Sequence, residues 1–124
     1  MSKLIGKILI VEDEDPLRRV LTLKLGKVGF ETKIAEDGKE ALDVLAKETF
    51  DLILLDLMIP KKNGFMVLTD LRARNDNTPV IALTVLNQEE DIKKAKDLGV
   101  KDYVIKQQTA INDIVDKVKK YKKQ

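Results

Sequence analysis

Three unbroken apolar runs punctuate the chain: KILIV at 7–11, DLILL at 51–55 and VIAL at 80–83. Two weaker runs, ETKIA at 31–35 and DYVI at 102–105, complete a set of five. Short continuous runs, rather than alternating apolar and polar positions, suit parallel strands covered on both faces. Helical spacing fills the intervals between them. Leu17, Val20, Leu21 and Val28 share one stripe, Ile92, Ala95 and Leu98 another, and Ile111, Ile114, Val115 and Val118 a third. EDG at 36–38 opens a helix carrying Ala41, Leu42 and Leu45, and GFMVLTDLRARN at 64–75 supplies the remaining one. Gly29, Gly64 and Gly99 fall where helices stop or start, and Asp15 before Pro16 reads as a helix cap.

The pattern is strand-helix repeated five times. Parallel strands need crossover helices, so the expected fold is α/β: a five-stranded parallel sheet, doubly wound and flavodoxin-like, with five helices. The common order for such a sheet is 2-1-3-4-5. At 124 residues the chain accommodates one ordinary domain, and no linker, composition shift or repeat divides it, so residues 1–124 are expected to form a single unit.

Composition narrows the chemistry. Apolar residues make up 44% and charged residues 35%, which indicates a soluble globular protein. The 23 basic and 21 acidic side chains nearly cancel, a balance that does not predict a nucleic-acid partner. There is no cysteine and no histidine, so disulfides, thiolate metal sites, Ser-His-Asp triads and histidine acid-base catalysis are excluded. Any chemistry must come from carboxylates, hydroxyls, lysines and backbone. The amino-terminal MSKLIGKILIVEDE carries too short an apolar run for a signal peptide, and nothing approaches the ~20 apolar residues of a membrane span. The expected location is cytoplasmic, without a membrane partner. The basic terminal KVKKYKKQ reads as a solvated last helical turn favoured by the helix dipole.

In a parallel sheet the carboxyl ends of all strands share one rim. Glu12, Asp13, Glu14 and Asp15 follow the first run, Asp56 the third, Thr84 the fourth and Lys106 the fifth. With order 2-1-3-4-5, the first and third strands are neighbours at the switch point, so Asp13 and Asp56 face each other across the crevice where ligands bind. Carboxylates this close repel unless a proton or cation intervenes. A hard divalent ion such as Mg²⁺, with Mn²⁺ as an alternative, is the natural resident. Lys106 and Thr84 would add a cation and a hydroxyl on the other side of Asp56. That convergence suits an oxyanion-rich group, and a carboxylate can itself act as nucleophile, so Asp56 could accept a phosphoryl group.

These residues resemble the receiver domain of two-component response regulators over essentially all 124 positions. The matching pieces are Glu12–Asp13 in ILIVEDED, Asp56 in LILLDLMIPKKNG, Thr84 in VIALT, and DYVIK with Tyr103 and Lys106. The resemblance implies a stand-alone, chemotaxis-regulator-like phosphoacceptor switch. Asp56 would take phosphoryl from a phosphohistidine on a sensor histidine kinase or phosphotransfer protein. Asp13, Asp56 and the backbone carbonyl of Met58 would ligate Mg²⁺, with Glu12 acting directly or through water. Lys106 would pair with Asp56 and then with phosphoryl oxygens; Thr84 would move to the phosphoryl group, and Tyr103 would swing into the space vacated. The surface of the fourth helix, fifth strand and fifth helix would change and bind a downstream protein or a second copy, as monomer or weak homodimer. The chain would not be an enzyme beyond self-phosphorylation and self-dephosphorylation.

Two positions depart from the family pattern. Gln107 stands where proline usually follows the lysine, often after a cis bond; a cis bond before a non-proline costs about 2.5–4 kcal/mol, so a trans bond and an altered turn are expected. Val85 stands where a small residue usually follows Thr84, and with Leu86 and Met58 it predicts apolar cover and a long-lived phosphorylated form. A phosphatase with an aspartate nucleophile would need a second acid at the position of Met58, and a dinucleotide-binding fold would need a glycine-rich turn after the first strand. The closer rival is a degenerate receiver that keeps the fold and serves as a constitutive interaction module.

Overall fold

A computed structural model describes residues 4–122, and within them the five apolar runs are five parallel strands. In chain order the elements are β1 (Gly6–Val11), α1 (Asp15–Lys27), β2 (Phe30–Ala35), α2 (Gly38–Lys47), β3 (Leu52–Leu55), α3 (Gly64–Ala73), β4 (Val80–Thr84), α4 (Glu89–Asp97), β5 (Asp102–Ile105), a 3₁₀ turn (Lys106–Gln108) and α5 (Ile111–Lys122). The strands pair in the order β2-β1-β3-β4-β5, as the sequence predicts. The extreme ends of the MSKLIGKILIVEDE and KVKKYKKQ segments lie outside the described residues.

Successive strand side chains point to opposite faces, and here both faces are covered. Leu9, Val11, Ile53, Leu55, Val80 and Ala82 pack under α2, α3 and α4 with Leu42, Leu68 and Ala95. Ile8, Ile10, Leu52, Leu54, Ile81 and Leu83 pack under α1 and α5 with Leu21, Leu25, Ile114 and Val118. This two-sided burial is why the runs are continuous. Each fully buried Leu or Ile stabilises the fold by roughly 1.5–3 kcal/mol relative to exposure.

Two details of α1 differ from the sequence reading. Val20 is 37% exposed, and the buried stripe runs instead through Leu21 and Leu25, with Leu17 and Val28 half-buried beside them. Asp15 is the first helical residue rather than the cap; the preceding position is Glu14, whose side chain makes no cap bond. Asp15 instead pairs with Arg18 at 2.5 Å and Arg19 at 2.9 Å, and its charge still suits the positive helix end. Side-chain caps do open α2 and α3: Asp37 accepts from the Glu40 amide at 2.8 Å, and Asn63 from the Met66 amide at 3.0 Å.

The loop after β3 is held by close backbone approaches. A Cβ on Gly64 would lie 2.5 Å from Leu57 Cα and 2.7 Å from the Asp56 carbonyl oxygen, and one on Gly38 would lie 1.8 Å from the Lys62 carbonyl oxygen. The Gly64 amide donates to the Leu57 carbonyl at 3.0 Å, and the Gly38 amide to that of Pro60 at 3.3 Å. Only residues without a side chain let the start of α3 and the start of α2 pin this loop so tightly. The polypeptide leaving Asp56 is fixed as a result.

Candidate functional site

Val11 pairs with Leu55, and the ladder continues one step further on both sides of β1. The Asp56 amide donates to the Val11 carbonyl at 3.0 Å, and the Glu12 amide to the Ala35 carbonyl at 3.0 Å. The strand ends therefore deliver Glu12, Asp13 and Asp56 to one rim, between β2 on one side and β3 on the other. One carboxylate oxygen from each of the three lies within 4.8 Å of the others.

Their environments differ. The Glu12 residue is 1% exposed and Asp56 is 4% exposed, whereas Asp13 faces solvent. Asp56 Oδ1 accepts from the Met58 amide at 2.9 Å, and Asp56 Oδ2 accepts from Lys106 Nζ at 2.8 Å. Lys106 Nζ is also 2.8 Å from Glu12 Oε1 and 3.8 Å from Glu14 Oε2. Burial opposes the Lys106 charge, but its hydrogen bond to Asp56 and the charge contacts with Asp56 and Glu12 outweigh it and hold the ammonium above its ordinary pKa. Burial pushes the Glu12 carboxyl up to about 7, against the pull of Lys106 and of the Glu14 amide, which donates to Glu12 Oε2 at 3.0 Å.

Lys106 reaches this position from the 3₁₀ turn after β5. The described residues contain no cis peptide bond, so the Lys106–Gln107 bond is trans, as the sequence predicts. Thr84 closes β4 as its last residue, opposite Ile105, and is fully buried. Its hydroxyl accepts a long 3.4 Å bond from the Leu86 amide. Tyr103, in β5 beside β4, is half-buried and donates its hydroxyl proton to the Leu86 carbonyl at 2.9 Å. Burial, then the negative charges of Asp91 and Asp56, push the Tyr103 phenol up to about 12.

The donor set fits a hard divalent cation. All three converging side chains offer oxygen, and Glu12 Oε1 is buried without a hydrogen-bond partner although Lys106 stands close in charge contact. A cavity of about 500 Å³ opens over Asp13 and is walled by Met58, Asn63, Phe65 and Leu86. Met58 is 54% exposed and Val85 37%, so apolar surface does border the rim, as expected. The structure thus brings Glu12, Asp13, Asp56, Lys106 and the Met58 peptide together. Thr84 and Tyr103 flank the same rim through Leu86.

Two relationships went unread in the sequence. Lys106 serves Glu12 as closely as Asp56. Arg18 hydrogen-bonds the carbonyls of Glu12 and Asp13, at 3.2 and 3.4 Å. A basic residue three positions after Asp15 on a first helical turn was the available signal for the second.

Comparison with known proteins agrees with this geometry. The response regulator receiver domain family matches residues 8–119. The uncharacterized transcriptional regulatory protein YkoG of Bacillus subtilis is 44% identical over 101 residues, which cover 82% of this chain and 44% of that protein. The chain spans less than half the length of the first curated relatives it matches. Among solved structures, the Francisella response regulator 1452 receiver domain superposes with a TM-score of 0.87 at 34% identity, covering 95% of this chain and 97% of that one. The BeF3-activated N-terminal receiver domain of Klebsiella pneumoniae RstA gives 0.85 at 30% identity, covering 95% and 99%. This is a family of signalling domains rather than a classical enzyme family. With the matched residues reaching all five strands and the acidic rim between them, the chain belongs to the response regulator receiver domain family.

Proposed function

We propose that this chain is a phosphoacceptor switch in which Asp56 takes a phosphoryl group from a phosphohistidine on a sensor kinase or phosphotransfer protein. The observation that carries this reading is the setting of Asp56: buried at the sheet rim, paired with Lys106 at 2.8 Å, and within ligand-sharing reach of Glu12 and Asp13. An Asp56 carboxylate oxygen attacks phosphorus, the phosphorus–nitrogen bond to the imidazole breaks, and an acyl-phosphate forms. The histidine must come from the partner, because this chain has none. Asp13, Asp56, the Met58 carbonyl and Glu12 would hold Mg²⁺ or Mn²⁺, which when bound supplies positive charge to the transferring phosphoryl oxygens. Lys106 shifts from Asp56 to a phosphoryl oxygen, and Thr84 turns its hydroxyl toward the same group.

Loss of the Thr84 side chain from its resting place lets Tyr103 move inward, changing the surface of α4, β5 and α5 on which a downstream protein docks. The description of the similar RstA receiver domain as BeF3-activated supports a reading of this chain as a switchable receiver. Residues 1–124 act as one receiver unit in the cytoplasm. No helix among the described residues is long and apolar enough to cross a membrane. Incubation with Mg²⁺ and a small phosphodonor, followed by intact mass, tests the proposal. A gain of one phosphoryl group that Asp56→Asn abolishes is expected. No gain from any phosphodonor or kinase would establish instead a degenerate receiver that binds partners without switching.

A further inference from the structure

We propose that Arg18 is a positioning residue for the acidic rim, holding the Glu12–Asp13 backbone so that both carboxylates converge on Asp56. The inference rests on reading that rim as a divalent-cation site. It starts from a problem in the sequence: Glu12, Asp13, Glu14 and Asp15 are four consecutive acids, and Glu36 follows β2 on the same rim. Like charges so close push a loop open. Lys106 compensates the inner side, where Glu12 and Asp56 are buried. Something must hold the outer side.

Arg18 sits there, on the first turn of α1, with its side chain only 13% exposed. Its Nη1 donates to the Glu12 carbonyl at 3.2 Å and the Asp13 carbonyl at 3.4 Å. The same nitrogen lies 3.4 Å from Glu36 Oε1, and Nη2 donates to Asp15 Oδ1 at 2.5 Å. One guanidinium therefore ties together the ends of β1 and β2 and the start of α1. Fixing two successive carbonyls fixes the peptide planes between them, and with them the directions in which Glu12 and Asp13 leave the backbone. Its ion pairs with Asp15 and Glu36 also offset the charge of two further acids beside the rim. The planar fork of arginine can serve several acceptors at once, which the single ammonium of lysine cannot. Partners standing one layer behind metal ligands typically change affinity 10–100-fold when removed.

Arg19 is the matched control. It carries the same charge and pairs with the same Asp15 at 2.9 Å, but its side chain is 78% exposed. Mn²⁺ titration, with free ion counted by its paramagnetic resonance and Mg²⁺ as competitor, reads the effect on the purified protein. Arg18→Gln is expected to weaken Mn²⁺ binding about tenfold or more. Arg18→Lys recovers only part of that loss, and Arg19→Gln stays within about twofold of the unsubstituted chain, as an exposed ion pair should. Thermal midpoints without metal separate affinity from folding, and Arg18→Lys carries the comparison if Arg18→Gln does not fold. Undiminished affinity in Arg18→Gln, an equal loss in Arg19→Gln, or full recovery in Arg18→Lys would each overturn the positioning role. Failure of the unsubstituted chain to bind Mn²⁺ would overturn the cation-site reading itself, and this inference with it.

Discussion

Lys106 Nζ stands 2.8 Å from Asp56 Oδ2 and, on its other side, 2.8 Å from Glu12 Oε1. One ammonium thus compensates two buried carboxylates delivered by different strands. Two uncompensated charges at this depth would not both stay ionised. The rim is stable in the folded chain because β5 places a fixed cation opposite the ends of β1 and β3.

Removing that cation should therefore cost stability as well as chemistry. Lys106→Met leaves Asp56 and Glu12 buried without a counter-charge, and loss of one partner of a buried pair costs roughly 3–5 kcal/mol. Urea unfolding without divalent metal is expected to show this deficit above pH 7 and a smaller one in acid, where Glu12, whose carboxyl burial pushes up to about 7, is neutral. Asp56→Asn should cost less than Lys106→Met, because Lys106 keeps Glu12. Equal midpoints for Lys106→Met and the unsubstituted chain would show that water already screens the pair.

Much of this was legible in the residues. Unbroken runs such as LILL report burial on both faces, and a sheet of such strands can place its polar residues only at its ends. Glu12, Asp13, Asp56, Thr84 and Lys106 were therefore legible as a group from the sequence. What stayed hidden depends on side-chain direction. Val20 fits an apolar stripe by spacing, yet it lies about 100° around the helix from Leu21, enough to face solvent. Arg18 was legible only as a partner for Asp15 three positions earlier; its other acceptors are backbone carbonyls, which every residue has and no sequence marks. The second partner of Lys106 was hidden because burial of Glu12 depends on how β1 ends against β2, a tertiary matter.

Gly64 and Gly26 should respond oppositely to the same change. At Gly64 a methyl group meets Leu57 Cα and the Asp56 carbonyl oxygen, backbone that cannot step aside, so Gly64→Ala is expected to cost about 1–3 kcal/mol or more. Because the displaced atoms belong to Asp56 and Leu57, phosphodonor labelling should fall too. Nothing lies within 4 Å of a Cβ at Gly26, inside α1, so Gly26→Ala should stabilise by roughly 0.5–1 kcal/mol. Thermal midpoints of the two variants test the pair; a shared sign would mean that α3 packs on this loop less tightly than the contacts indicate.

The apolar border of the rim bears on how long Asp56 would stay phosphorylated. Met58 and Leu86 wall the cavity over Asp13, and Tyr103 holds the Leu86 backbone in place. Neither side chain can position a hydrolytic water. Once the chain is phosphorylated, Leu86→Glu or Met58→Asn should hasten loss of the group, and a rise of about tenfold corresponds to ~1.4 kcal/mol off the barrier. Following the decay of the phosphorylated mass after removal of the donor measures this directly. Rapid decay of the unsubstituted protein, untouched by either substitution, would mean that water reaches the group by another route.

Tyr103 supplies a prediction independent of phosphorylation. Its hydroxyl donates to the Leu86 carbonyl, and burial followed by the charges of Asp91 and Asp56 holds the phenol neutral up to about 12. An unfolded chain ionises tyrosine near pH 10, so between about 10 and 12 the unfolded state releases the proton first. The contribution of Tyr103 to stability is therefore complete below pH 10 and is lost as pH rises through 12. Tyrosinate absorbance should contain a step near 12 that Tyr103→Phe removes. The same substitution deletes one hydrogen bond, a net loss of about 1 kcal/mol at neutral pH. A Tyr103 step at the ordinary value near 10 would place the ring in water, detached from Leu86, and would remove the coupling between β5 and the β4–α4 loop on which the proposed switch depends.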